Sequence, residues 1–321
     1  MQRNFGKVPR MQIARACLVL LVLVGCAGGE GPSNGDPSDW GEVLETQIQV
    51  GELLFDARVA GPDDGDLVIL LHGFPQTSYE WRAQLSALGE TGYRAVAPDQ
   101  RGYSPGARPT GVADYEISLL VQDVLDMADQ LGAPRFHVVG HDWGAVVAWA
   151  LAALAPERTI TLTAVSIPHP DAFAQELADP ESCQAQASAY FDFLISPTSE
   201  AALLANDAAQ LRALYSELGE DAVNEYLRVL GTEEALSAAI NWYRANIADR
   251  QIAPGPAGST TVSTLFIWSD GDAAVCREGA EATEQFVAAP YRFEILEGVS
   301  HWVPELAGDA VNGFLLEHLT Q

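Results

Sequence analysis

The stretch FHVVGHDWGAVVAWALAAL, residues 136–154, decides the fold. Its opening, Phe136–His141, is an apolar run of strand length. Its close, Ala145–Leu154, repeats apolar residues three and four apart, as a helix does. Between them stands Gly140-His141-Asp142-Trp143-Gly144. So tight a turn between strand and helix forces its central residue into a strained conformation, and Gly140 and Gly144 keep neighbouring atoms from colliding. The helix N-terminus behind the turn favours negative charge, which keeps the Asp142 carboxylate ionised and able to attack.

Working outward, runs of the same kind recur at Leu67–His72, Arg94–Asp99, Leu162–Ile167, Thr264–Trp268 and Tyr291–Leu296. Continuous apolar runs such as LVILLH belong to strands buried on both faces, so the spacing predicts an α/β protein with a mostly parallel central sheet flanked by helices. Glu45–Arg58 alternates around Gly51 and predicts an antiparallel hairpin ahead of it. Ile117–Leu131 reads as a helix. From Pro168 to Gly258 the rhythm breaks into helical stretches (Asp171–Ala178, Glu200–Leu218, Glu220–Leu230, Glu233–Ala248) with no clear strand. This is an inserted helical cap over the core. The expected organisation is a core in two parts, residues 45–168 and 259–321, around a cap at 169–258.

A nucleophile at a strand-to-helix turn needs, later in the chain, an acid and then a histidine, each at a strand end. Asp272, in Trp268-Ser269-Asp270-Gly271-Asp272, follows one apolar run, and His301, in Gly298-Val299-Ser300-His301-Trp302, follows the next. Asp270 competes for the acid role; Asp272, farther past the end of the run, suits the loop better. At the end of LVILL, His72-Gly73-Phe74-Pro75 forms a turn whose backbone N–H groups, Phe74 above all, can converge with that of Trp143 on an oxyanion.

The chain has 321 residues with 17 Lys+Arg against 44 Asp+Glu, a formal charge of −27. Four of the cations, and no acid, lie in residues 1–25; the rest carries 13 basic against 44 acidic residues, or −31. A surface so acidic repels phosphate backbones, which excludes nucleic acid as a partner, and anionic lipid likewise. The basic opening and the ten-residue apolar run Ala16–Gly25 are too short to span a bilayer and read as a signal peptide, residues 1–25. Leu23-Val24-Gly25-Cys26 looks like a bacterial lipobox, with Cys26 as the lipid anchor, and residues 26–44 read as a flexible tether. The expectation is an exported lipoprotein that meets a membrane only through its N-terminal lipid. Cys183 and Cys276 remain, either paired in an oxidising compartment or as two separate thiols. Metal-ligand spacing is lacking, and neither a metal nor a cofactor is expected.

Together HGFPQTSYEWR (72–82), PDQRGYS (98–104), GHDWG (140–144), SIPHP (166–170), NWYR (241–244) and GVSHW (298–302) resemble the epoxide hydrolases of the α/β-hydrolase superfamily. The resemblance runs from about Glu45 to the C-terminus. It implies the α/β-hydrolase fold and a small-molecule epoxide and water as substrates. It further implies an Asp142 nucleophile, His301 oriented by Asp272, and two cap tyrosines, Tyr243 of NWYR and, more loosely matched, Tyr190, that donate to the epoxide oxygen. Related haloalkane dehalogenases share GHDWG but usually carry Asn, a halide ligand, where this chain has Phe74. Dehalogenation of haloalkanes or haloacids by the same triad is the enzymatic alternative, and a catalytically silent lipid-anchored binding protein is the alternative of another class.

Overall fold

The computed structural model describes residues 41–248, 251–252 and 259–320. The expected signal peptide, Cys26 and all of the tether but its last four residues lie outside them. Strand β1 (Leu44–Val50) begins at the last residue assigned to the tether, where Ile48 and Val50 turn toward the core. It pairs antiparallel with β2 (Leu53–Ala60), which pairs antiparallel with β4 (Arg94–Pro98). The remaining strands are β3 (Leu67–Leu71), β5 (Phe136–His141), β6 (Thr159–Val165), β9 (Ser263–Ser269) and β10 (Tyr291–Leu296). With β4 they form a parallel array, and the eight-stranded order is β1-β2-β4-β3-β5-β6-β9-β10.

Every residue of β3 and β5 is buried, which is why β3 is an unbroken apolar run and β5 departs from one only at Gly140 and at two hydrogen-bonded histidines, His137 and His141. Alternate side chains serve opposite layers. Leu67, Ile69 and Leu71 pack with α2 (Ile117–Gln130) and α3 (Trp143–Leu154), whereas Val68 and Leu70 pack with α1 (Arg82–Glu90) and α12 (Gly308–Leu319). Helices thus cover both faces, and the strand ends stay free to carry loops.

The cap comprises α4 (Pro170–Ala178), α5 (Cys183–Ala187), α6 (Tyr190–Ile195), α7 (Ser199–Leu214), α8 (Glu220–Leu230) and α9 (Glu233–Asn246). Two departures from the expected helices matter. The stretch expected as one helix over 200–218 ends at Leu214 and breaks at Ala205–Ala208, where Asn206, Asp207 and Ala208 have φ of 52°, 59° and 57°. Asn and Asp enter the left-handed region more readily than most residues, so the break falls where the sequence resists it least. The cap also holds a small antiparallel pair, β7 (Ile247–Ala248) with β8 (Gln251–Ile252), where no strand is expected. After β9 come α10 (Arg277–Ala282), β10 and the short α11 (Val303–Leu306). Among the described residues no helix is long and apolar enough to cross a membrane.

Candidate active site

Asp142 sits between β5 and α3 at φ 50°, ψ −122°, a backbone conformation costing a non-glycine residue about 1–3 kcal/mol. The neighbours explain how the chain holds it there. A Cβ on Gly140 would lie 2.2 Å from the Gly144 carbonyl oxygen, and one on Gly144 would lie 2.0 Å from that of Leu71, so the turn closes only around glycine. Gly73 likewise lets the opposite turn approach, since a Cβ there would meet the Asp142 Cβ at 2.4 Å. The carboxylate is consequently buried against two backbones. Asp142 Oδ1 accepts from the Phe74 N–H at 2.8 Å, and Oδ2 lies 3.3 Å from His301 Nε2. Burial pushes the carboxyl up, but the hydrogen bond and charge of His301, with smaller help from the Phe74 N–H, outweigh it and hold Asp142 below its ordinary value.

His301 follows β10 and Asp272 follows β9. His301 Nδ1–H donates to Asp272 Oδ2 at 2.8 Å, while Asp272 Oδ1 accepts from the Ala274 and Val275 N–H groups at 2.8 and 3.3 Å. Burial lowers the imidazole, but Asp272 and Asp142 together raise it well above its ordinary range. In the resting site His301 is therefore an imidazolium between two carboxylates. Asp270 does something else: its Oδ1 accepts from the Gly298 N–H at 2.6 Å and tightens the turn leading to His301.

Of the two expected oxyanion donors, Phe74 N–H is bonded to the carboxylate and Trp143 N–H is not. His72 fixes the turn that presents Phe74. Its Nε2 accepts from the Gln100 N–H at 3.0 Å, so Nδ1 carries the proton and donates to the Gly73 carbonyl oxygen at 3.0 Å. Burial drives this histidine down to about 4, leaving it neutral. Pro75 closes the turn, and its carbonyl oxygen accepts from the Tyr215 hydroxyl of the cap.

Tyr190 on α6 and Tyr243 on α9 face Asp142 from the cap, with ring centroids 6.4 Å apart. Tyr243 is buried against Trp143 and Phe74, centroids 5.0 and 5.2 Å away; Tyr190 is 37% exposed at the mouth. The exposed part of Tyr190 is not its hydroxyl: burial of the hydroxyl raises both phenols and the nearby Asp142 charge raises them further, so both remain protonated donors. Asp142, His301 and the two tyrosines share one cavity of about 500 Å³. Its walls are mostly apolar (Phe193, Leu194, Leu203, Leu214, Trp302), and among the described residues no Lys or Arg lines it.

Sequence reasoning missed some parts of this arrangement and left one open, the pairing of Cys183 with Cys276. Arg244 donates to both Glu200 oxygens, at 2.7 and 2.9 Å, pinning the Tyr243 helix to α7. Burial raises Glu200, but Arg244 overrides it and brings the carboxyl down to about 2. The Arg of NWYR and Glu200, 44 residues before it, were the available signal. A disulfide joins Cys183 on α5 to Cys276, Cα atoms 6.1 Å apart, and Gln184 bonds both the Cys276 N–H and the Ala274 carbonyl. These links clip the cap to the loop that carries Asp272. The one metal-ligand grouping among the described residues, Cys183, Cys276 and Glu278, uses the bonded sulfurs, which have no thiolate to offer. Beneath the site, His141 Nε2 lies 2.9 Å from the His301 carbonyl oxygen and Nδ1 lies 3.2 Å from Oε2 of the buried Glu80.

Residues 66–307 match the α/β hydrolase fold family. The chain is 35% identical over 283 residues to an AB hydrolase superfamily protein of Bacillus subtilis, covering 85% of this chain and 96% of that one. It is 32% identical over 297 residues to epoxide hydrolase 4 of Mus musculus, covering 89% and 81%. Among solved structures, an epoxide hydrolase of Bacillus megaterium, crystallised with an inhibitor, superposes with a TM-score of 0.79 at 26% identity, covering 86% of this chain and 100% of that one.

Proposed function

The chain belongs to the α/β-hydrolase superfamily, and on that premise we propose that it opens apolar epoxides to vicinal diols through an ester formed on Asp142. The observation that carries the reading is the pair of protonated phenols, Tyr190 and Tyr243, lining the same cavity as the ionised Asp142. An epoxide oxygen leaves as a poor alkoxide unless a donor meets it, and two phenols provide donors where charge develops.

Asp142 Oδ2 is the attacking atom: Oδ1 rests on the Phe74 N–H, the donor that later holds the oxyanion, while Oδ2 is released from His301 Nε2 as it attacks. Attack forms the Oδ2–carbon bond and breaks the ring C–O bond, whose oxygen takes a proton from the tyrosine pair. The resulting ester is neutral, so His301 loses one of the two anions that raise it. Its proton passes to the tyrosine pair, restoring the phenol, and the free imidazole Nε2 now acts as base. Water, deprotonated by His301, attacks the ester carbonyl. The tetrahedral oxyanion forms on Oδ1, where each hydrogen-bond donor is worth about 3 kcal/mol. Collapse breaks the Cγ–Oδ2 bond; the departing alkoxide takes the proton of the newly added hydroxyl, which releases the diol and returns Asp142 as a carboxylate beside the His301 imidazolium. Aspartate suits this chemistry: its ester keeps a carbonyl that water can attack, whereas a serine would be left as an ether.

His301→Gln tests the reading directly. Alkylation should survive and hydrolysis should fail, so mass spectrometry should find the epoxide adduct on Asp142, with turnover down about 10³-fold or more. Turnover of an epoxide by the native protein without any such adduct in the variant would overturn the ester mechanism. Dehalogenation is disfavoured by Phe74 at the halide-ligand position, and bromide or chloride release without diol formation would reverse that judgement. Loss of all turnover in Asp142→Asn separates both from a silent binding protein. The location inferred is export with an N-terminal lipid on Cys26, favoured by the Cys183–Cys276 bond, which suits an oxidising compartment. Cys26→Ala should abolish metabolic labelling with palmitate.

A further inference from the structure

We propose that Glu80 and His141 form a buried brace that shares a single proton and positions His301 for ester hydrolysis. The inference rests on the proposed activity for its kinetics but not for its proton count.

The proton count follows from hydrogen-bond direction. The His301 carbonyl oxygen can only accept, so His141 Nε2 carries a proton and donates to it at 2.9 Å. At the other ring nitrogen, Nδ1 and Glu80 Oε2 stand 3.2 Å apart, and one proton lies between them. Either the carboxyl donates to a neutral imidazole, or a carboxylate accepts from an imidazolium. Both side chains are completely buried. Separated charges there would need further partners, and the surroundings favour the neutral form. The titratable groups facing the pair are Asp142, His301 and Asp272 of the site, His72 and Tyr103 from the loops after β3 and β4, Glu305 from α11 and Tyr226 from α8. Glu305 is engaged by Arg82 at 2.7 Å and by the Gln76 amide at 2.6 Å. Burial, then the charges of Glu305 and Asp142, push the Glu80 carboxyl well up, and burial lowers His141 to about 4.

Two consequences follow. The grip on the His301 backbone holds an imidazole that must keep Asp272 on Nδ1 and reach water with Nε2. Its ring lies only 4.9 Å from the His141 ring, so a brace with net charge would shift the basicity of His301 directly. A neutral brace leaves that basicity to Asp272 and to the state of Asp142. Glu80 and His141 are positioning residues: neither lines the cavity.

The test compares Glu80→Gln with Glu80→Leu in single-turnover experiments that time ester formation and ester decay separately. The Gln amide still donates to Nδ1, so ester decay should stay within about threefold of the native rate, with an unshifted pH profile. Leu removes the donor; ester decay should slow about tenfold or more while ester formation changes little, and the adduct should accumulate. An equal fall in both steps, or no fall in either, overturns the positioning role. A shift of about one unit or more in the acid limb for Glu80→Gln overturns the neutral pair, because it means that a charge was removed. Absence of epoxide turnover by the native protein would refute the activity, not the brace. Nitrogen-15 NMR of the native histidines then decides: His141 should appear as the neutral Nε2–H form at pH 7, and an imidazolium signal overturns the proposal.

Discussion

Asp142 keeps its negative charge in a place where burial alone would remove it, and the counter-charge that preserves it is the imidazolium of His301. The two groups therefore set one another's protonation. Replacing Asp142 by Asn removes one of the anions that raise His301 and mimics the neutral ester proposed above. His301 should then titrate about one unit or more below its native value, measured by NMR across pH 5–10. An unchanged titration would mean that Asp272 alone sets the basicity. Asp142, Asp272 and His301 were legible because each follows an apolar run and they occur in the order that a strand-to-helix nucleophile requires. Glu80 was illegible for an equally physical reason. An acid in a polar-looking segment, Thr77-Ser78-Tyr79-Glu80, gives no sign that the segment folds inward until the 3-10 turn Ser78–Trp81 is seen to bury it.

At the scale of elements, the parallel strands announce themselves because two covered faces demand unbroken apolar residues, while the cap helices are harder to read. Helices α5 and α6 have five and six residues, fewer than two full turns, so no 3.6-residue period can develop. The break in α7 depends on backbone angles that only weakly favour particular residues. The latch between Arg244 and Glu200 is a relation between two elements, and it makes a claim about acid stability. The Glu200 carboxyl has a folded value of about 2 against 4.5 ordinarily, so its stabilising contribution is complete above pH 4.5 and lost as pH falls toward 2. In Glu200→Gln the melting temperature should drop by a few degrees at neutral pH, and the deficit should shrink between pH 4.5 and 2. Calorimetry across that range is the check; a deficit independent of pH would mean that the ion pair is not its source.

For the whole molecule, net charge and cavity act together on the choice of substrate. The wall near Asp142 carries Glu217 and no Lys or Arg among the described residues, and the chain as a whole is −27. An anionic substrate would approach against this field and bury its charge beside carboxylates. A long-chain epoxide ester should therefore be turned over with kcat/KM about tenfold above its free acid. The gap should narrow as added salt screens the field and narrow again in Glu217→Gln. Equal rates at low salt would show that the field does not reach the cavity.

The two halves of the chemistry also come from separate parts of the chain. Everything that would cleave the ester (Asp142, Asp272, His301 and the Phe74 amide) hangs from ends of the central sheet, while both phenols arrive on a single contiguous segment between β6 and β9. Lineages that exchange or remodel that one segment can acquire a new electrophile without relearning how to free the enzyme from it. Duplication followed by drift in residues 170–248 is thus the cheapest route from this sequence to a different reaction.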